Sequence, residues 1–205
     1  MNTIQETPTG LFNGYEIILG SSSPRRHAFM NALEIPFTIA IRSIEETYNP
    51  NLKKHEITEF LAKEKTKPYL NDLSDKQILI TSDTIVWHQE KALMKPKNEQ
   101  EAFEMIESLS NSTHDVISSV AFTTTTHQKV VTDTTKVTFQ KLYKPEIQHY
   151  IKHYKPLDKA GSYGIQDWIG LIGISKIEGN YNTVVGMPTH LVYRTLLEMT
   201  TSSKE

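Results

Sequence analysis

A mixed α/β fold is what this sequence predicts, and three observations lead there. Short apolar runs at 17–19, 37–41 and 78–80 have strand length; two alternating stretches, 113–124 and 130–139, flank a polar turn; and helix-opening residues, Pro24, Asn98, Pro145 and Pro188, recur between them. At 205 residues and 38% hydrophobic content the chain can bury a real core, in one domain or two small lobes. The net charge of -2 and a pI near 6.5 leave no global basic field, which argues against a general nucleic-acid binder. Cysteine is absent, so disulfides and thiolate metal sites are excluded and a reducing compartment fits. No apolar run approaches the roughly 20 residues of a membrane span, and the first residues lack a basic and then apolar leader pattern. A cytoplasmic protein without a membrane partner is the expectation.

Residues 1–14 mix Thr, Asn, Pro and Gly with little periodicity and read as a flexible N-terminal extension to a single domain over 15–205. Ile17, Ile18 and Leu19 predict a buried strand, Gly20 a sharp exit, Ser23 an N-cap and Pro24 the first helical position, with Ala28, Phe29, Ala32 and Leu33 on one face. Ser21, Ser22 and Ser23 then gather at a helix N-terminus, where unpaired N–H groups and partial positive charge favour anions. Arg25 and Arg26 add forked donors that match phosphate oxygens. A capped helix with two solvated arginines has the same local pattern.

The strand at 37–41 leads into Glu45 and Glu46, carboxylates that are either solvated or, beside phosphate, able to ligate a hard cation. Ile57, Phe60 and Leu61 place an amphipathic helix over 55–69, on which Lys65 is either solvated or reaches a phosphate. His55 and Glu56 are followed by Glu59 rather than a second histidine, so the zinc-protease pattern is not met. The strand at 77–82 delivers Asp83 and Thr84 at its C-terminal end, where an acid can touch water or metal in an open α/β sheet, or can simply cap a turn.

Lys95 and Pro96 precede a capping box, Asn98 with Glu101, that opens a helix with Ala102, Phe103, Ile106 and Leu109 inward. The two alternating stretches predict an antiparallel hairpin about His127 and Gln128. Pro145 opens a helix with Ile147, Tyr150, Ile151 and Tyr154 inward. Residues 158–166 form a Gly-containing loop rich in donors and acceptors, in which Gln166 offers an amide able to pair with a base edge. A strand over 171–177, a Gly-Asn turn and a last helix from Pro188 complete the chain.

In this order the motifs resemble the Maf family of nucleoside-triphosphate pyrophosphatases. S-x-S-P-R-R stands at 21–26, the family's glutamate after the second strand falls at Glu45, L-A-x-x-K at 61–65, D-T-x-V at 83–86, K-P at 95–96, D-K-A-G-x-Y-G-I-Q at 158–166 and N-x-V-V-G-x-P at 182–188. The likeness covers about 17–197. Thr81, Ser82, Met94, Asn111 and Asp167 stand where members often carry glycine or alanine.

The resemblance implies an elongated mixed β-sheet flanked by helices, two lobes with a central cleft, the fold shared with inosine triphosphatases, and commonly a homodimer. It implies hydrolysis of a nucleoside triphosphate to the monophosphate and pyrophosphate with Mg²⁺ or Mn²⁺. The arginine after Ser-Pro, Arg25, points to dTTP and UTP, with house-cleaning of modified pyrimidine nucleotides as a further role. By resemblance Asp83 accepts a proton from water and, with Glu45, holds the metal. Lys65, Lys95 and Arg26 neutralise the triphosphate with Ser21 and Ser23, while Arg25, Thr84 and Gln166 set base preference. The family's link to septum formation and division arrest leaves a nucleotide-binding regulator as the alternative; the presence of Asp83, Lys65 and Lys95 favours the enzyme.

Overall fold

The computed structural model describes Phe12 and residues 14–201. The extension expected over 1–14 lies otherwise outside the described residues, and Phe12 itself is buried, its ring edge-on to Tyr193 with centres 6.2 Å apart. The chain runs β1 (Glu16–Leu19), α1 (Pro24–Ala32), β2 (Phe37–Ile39), α2 (His55–Glu64), β3 (Gln77–His88), β4 (Lys91–Leu93), α3 (Glu99–Leu109), β5 (Thr113–Thr123) and β6 (Gln128–Phe139). It continues through α4 (Lys144–Tyr154), α5 (Trp168–Gly173), β7 (Ile174–Glu178), α6 (Tyr181–Val185) and α7 (Thr189–Thr201). Among the described residues the strands make one mixed sheet in the order β2-β1-β3-β5-β6-β7, with β4 added beside β3. The β1 pairings with β2 and β3 are parallel and the rest antiparallel, which is the mixed α/β architecture expected.

The long strands β3, β5 and β6 carry a separate core at each end. On one face Ile78, Ile80, Val120 and Phe122 pack with Met30 of α1 and Val192 and Leu196 of α7. Farther along the same strands Val86, Val116 and Val137 pack with Ile106 of α3, Ile147 and Tyr150 of α4 and Ile169 of α5. Period-2 alternation puts Ser82, Thr84 and Ser118 on this face between the two cores, so the molecule has a polar waist. The opposite face is covered by α2, through Ile57 and Leu61 against Ile85, Trp87 and Ile117.

Several elements depart from expectation. Asp83 and Thr84 do not end a strand; they lie inside β3, which continues because Ser119 and Ser118 oppose them and present small side chains to polar ones. The helix expected over 55–69 stops at Glu64, and Pro68 lies in a separate 3-10 turn, Lys67–Tyr69, since proline cannot donate to a helix ladder. The strand expected over 171–177 is helix through Gly173 and strand only from Ile174; apolar runs this short do not reveal their period. In α1, Met30 is buried with Phe29 and Leu33 packed beside it, while Ala28 and Ala32 face outward. In α4, Ile147, Tyr150 and Ile151 are buried as expected, but Tyr154, at the last position of the helix, is exposed. Asn98 Oδ1 accepts the Glu101 N–H at 2.9 Å, and Gln128 pairs with Thr123 to close the hairpin.

Candidate active site

Along one edge of β3, β1 pairs only as far as Ile80 and β4 begins only at Val86. Between them residues 81–85 keep one edge without a neighbouring strand, and a cleft of about 380 Å³ opens there, in the size range of small-molecule sites. Backbone groups alternate sides along a strand, and Ile80 O accepts from Gly20 N while Ser82 O accepts from Arg26 Nη1 at 2.9 Å. The waist thus exposes main-chain acceptors as well as side chains.

The serine turn forms one wall. Ser21, Ser22 and Ser23 line the cleft together with Arg25 and Arg26, and Ser23 occupies the N-cap of α1 without making a side-chain capping bond; its N–H is held by Ser21 Oγ at 3.2 Å. Both arginines are already engaged. Arg25 Nη1 donates to Asp158 Oδ2 at 3.0 Å, across the cleft to the segment after α4. Arg26 is half-buried, and all three of its nitrogens have protein partners: Gly186 O at 3.0 Å, Ser82 O, Ser21 Oγ at 3.4 Å and Thr84 Oγ1 at 3.3 Å. The expected free phosphate fork is therefore a cross-brace, because the open strand edge and the 182–188 segment both present carbonyl oxygens that need a donor. Its charge still faces the cleft. Burial works to lower its pKa while Asp83 supports its charge.

Lys65, at the C-cap of α2, joins two carboxylates. Its Nζ lies 2.6 Å from Asp83 Oδ1 and 2.9 Å from Glu46 Oε1, and Lys95 Nζ approaches Glu46 Oε2 at 3.5 Å. Burial holds the Asp83 carboxyl above the ordinary carboxylate range against the pull of Lys65 and Arg26, with Glu46 adding to the rise. For Glu46 burial acts upward too, but the charges and hydrogen bonds of Lys65 and Lys95 outweigh it and its pKa is lowered. Two neighbouring acids are thus pushed apart, the pattern that separates a proton acceptor from a permanent anion.

Of the two adjacent glutamates, Glu46 lines the cleft and Glu45, the one the resemblance implied, does not. The segment between β2 and α2 is irregular, so no periodicity in the sequence told which of two adjacent glutamates turns inward. Lys159 was also missed: it lines the cleft, is 14% exposed and pairs with Asp158 Oδ1 at 2.8 Å. Its motif was visible, but its direction was not. Thr84 and Gln166 both line the cleft, Thr84 Oγ1 sharing a hydrogen bond with Ser118 Oγ at 2.8 Å.

Asp83 Oδ2 and Ser82 Oγ are buried and lack a hydrogen-bond partner among the described residues. An orphaned carboxylate oxygen calls for a proton, a water or a cation. No group of three or more acidic, histidine or cysteine side chains able to hold a metal is found there or elsewhere among the described residues. Asp83 and Glu46 are hard oxygen donors and fit a Mg²⁺-class ion that completes its shell with water and phosphate oxygens.

The family model for Maf-like proteins matches residues 16–199. The chain belongs to the Maf-like family. A protein of Christiangramia forsetii named dTTP/UTP pyrophosphatase is 55% identical over 192 residues, covering 94% of this chain and 98% of that one. Another of the same name, from Flavobacterium johnsoniae, is 52% identical over 182 residues, 89% of this chain and 94% of its own. Among solved structures, the Staphylococcus aureus Ham1 protein overlaps 60% of this Maf-like chain and 71% of its own at 12% identity with a TM-score of 0.42. No helix among the described residues is long and apolar enough to cross a membrane.

Proposed function

We propose that this cleft hydrolyses dTTP and UTP to the nucleoside monophosphate and pyrophosphate. The observation that carries the reading is the Lys65-bridged pair of Asp83 and Glu46 beside the serine turn, with one Asp83 oxygen left unpartnered. The names of the two similar proteins supply the substrates. The triphosphate enters where Ser21, Ser23 and the N-terminus of α1 offer donors and where Arg26, Lys65 and Lys95 offer charge. Asp83 accepts the proton of the attacking water through Oδ2, its raised pKa making the carboxylate a better base than a solvated one. Lys65 anchors Oδ1 and keeps the carboxylate oriented. Mg²⁺ or Mn²⁺, held by Asp83 and Glu46 with the phosphates, would polarise the phosphoryl oxygens and neutralise developing charge.

Arg25, Thr84 and Gln166 read the base in this account. Gln166 is exposed in the cleft with an amide that serves carbonyl and N–H groups alike. The same reading takes residues 15–205 as one domain of a cytoplasmic homodimer. A panel of dTTP, UTP, CTP and 7-methyl-GTP, with pyrophosphate release measured under Mg²⁺ and Mn²⁺, tests it. The highest kcat/KM is expected for dTTP and UTP. A preference for 7-methyl-GTP, or no release from any of them, would remove the assignment.

A further inference from the structure

Gln166 lies in a tight turn whose two ends are held by a single buried hydroxyl. Asp167 N–H donates to Gly164 O at 3.0 Å, closing a four-residue turn with Gln166 in its third position. Beneath it Tyr150 reaches up from α4. Its hydroxyl accepts the Gly164 N–H at 3.0 Å and donates to Asp167 Oδ2 at 2.7 Å. The direction of both bonds follows from chemistry, since an amide can only donate and the single phenolic proton is left for the carboxylate. Burial first, then the Asp167 bond and charge, push the Tyr150 ionisation far above its usual value, so the proton stays in place.

The bracket is closely fitted. A Cβ on Gly164 would come within 2.5 Å of Asp167 Oδ2, so only glycine lets the carboxylate fold back over the turn. Lys159 Nζ lies 3.9 Å from the same oxygen and also bonds Asp158, the partner of Arg25. Tyr150 is fully buried among Ile147, Ile151 and Ile169, which makes it a rigid post.

We propose that Tyr150 and Asp167 are positioning residues for base selection: they hold the 164–167 turn so that the Gln166 amide meets the C4 edge of a pyrimidine in one orientation. An amide carries an acceptor and donors side by side, and if its backbone has slack it can shift to serve a 4-carbonyl or a 4-amino group. Discrimination between uracil and cytosine then declines, although neither residue touches the nucleotide. The inference rests on the reading of Gln166 as a base-reading residue.

The test measures kcat/KM for UTP and CTP, with thermal unfolding as the folding control, in Tyr150→Phe, Asp167→Ala, Asp167→Asn and Gln166→Glu. Tyr150→Phe and Asp167→Ala should each lower the UTP-to-CTP ratio about five- to tenfold, the effect of roughly one net hydrogen bond. The change should appear mainly in KM for UTP rather than in kcat. Asp167→Asn keeps an oxygen that accepts from Tyr150 and should hold the ratio near that of the parent. Gln166→Glu should move it toward CTP, because a carboxylate accepts from the cytosine amino group. An unmoved ratio in Tyr150→Phe and Asp167→Ala beside a shifted one in Gln166→Glu overturns the bracket and leaves the base reading standing. A ratio unmoved in Gln166→Glu overturns both. Equal losses in the Asn and Ala variants also overturn it, because charge rather than the Tyr150 bond would then matter. If Tyr150→Phe does not fold, the two Asp167 variants decide the question, since that side chain is 16% exposed and its replacement leaves the buried Tyr150 ring in place.

Discussion

The Lys65 ammonium sits 2.6 Å from Asp83 Oδ1, while Oδ2 of the same carboxylate is buried without a partner among the described residues. One oxygen is therefore anchored and the other is available for chemistry. Asp83 lies within β3, which is paired with β5 on both sides of it, so its position is set by that ladder. The lysine comes from the end of α2, on the face where Leu61 and Ile57 are buried against Ile85 and Ile117. The waist between two cores is thus rigid on the side of the base and open on the side of the ligand.

Asp83→Asn should retain nucleotide binding and lose turnover by about 10²- to 10⁴-fold, the usual contribution of a general base. It should also be more stable than the parent at neutral pH. Folding raises the Asp83 pKa, so the native state binds this proton more tightly than the unfolded chain and parental stability falls as pH rises through the window above the ordinary carboxylate value. Asparagine removes that term. Thermal midpoints of the two proteins should lie farthest apart at pH 8 and converge toward pH 4; a gap that widens on acidification would falsify the assignment.

Glu46→Gln should lower kcat/KM and raise the Mg²⁺ concentration needed for half-maximal rate, because it removes a carboxylate held at Lys65 and Lys95. Glu45→Gln should have a much smaller effect on both quantities, since that side chain is outside the cleft. Metal titrations of the two variants side by side distinguish the positions, and a larger defect in the Glu45 variant would restore the residue expected from the motif.

His114 should make the protein acid-sensitive. Its Nε2 shares a hydrogen bond with the Tyr163 hydroxyl at 2.7 Å, its ring is stacked on Phe139, and Nδ1 is buried without a partner among the described residues. Burial, with a smaller effect from His88, lowers its pKa to about 3. The unfolded chain then binds more protons than the native one below the free-histidine value of 6.5, and stability declines as pH falls from there toward 3. His114→Gln should lower stability at pH 7.5 yet flatten the dependence between pH 7.5 and 5, as read from urea midpoints. An unchanged slope would count against His114 as the source.

Gly161→Ala should destabilise by about 1–3 kcal/mol, the range for overpacking combined with a strained backbone. Gly161 has φ +66°, and a Cβ there would lie 2.7 Å from Val86 Cγ2. Because the residue lies in the 158–166 segment that ends at Gln166, the loss in urea stability should be accompanied by a higher KM for UTP. Parental stability would mean that the segment relaxes away from β3.

Much of the fold was legible because it depends on short-range physics. The capping bond of Asn98, the hairpin from 113 to 139 and the helices opened by Pro24 and Pro145 need only neighbouring residues to form, and the sequence displays those neighbours. The ordered motifs likewise named Asp83, Lys65, Lys95, Thr84 and Gln166, which line one cleft together.

What only the tertiary structure decided was direction and partnership. Which of Glu45 and Glu46 turns inward depends on how an irregular segment drapes from β2 to α2. That path follows the packing of Tyr48 and Leu52 against a core that includes Ile85, Trp87 and Ile117, residues distant in sequence. That Arg26 braces the protein instead of offering a free fork follows from carbonyls of Ser82 and Gly186 meeting at one point, 56 and 160 residues away. That the Asp83 pKa is raised follows from its burial in β3, and that Tyr150 bonds both ends of the turn around Gln166 follows from α4 passing beneath it. Residue type limits what a side chain can do, and periodicity limits which element it joins; charge, burial and hydrogen-bond partner are properties of a place, and the place exists only once distant segments have packed.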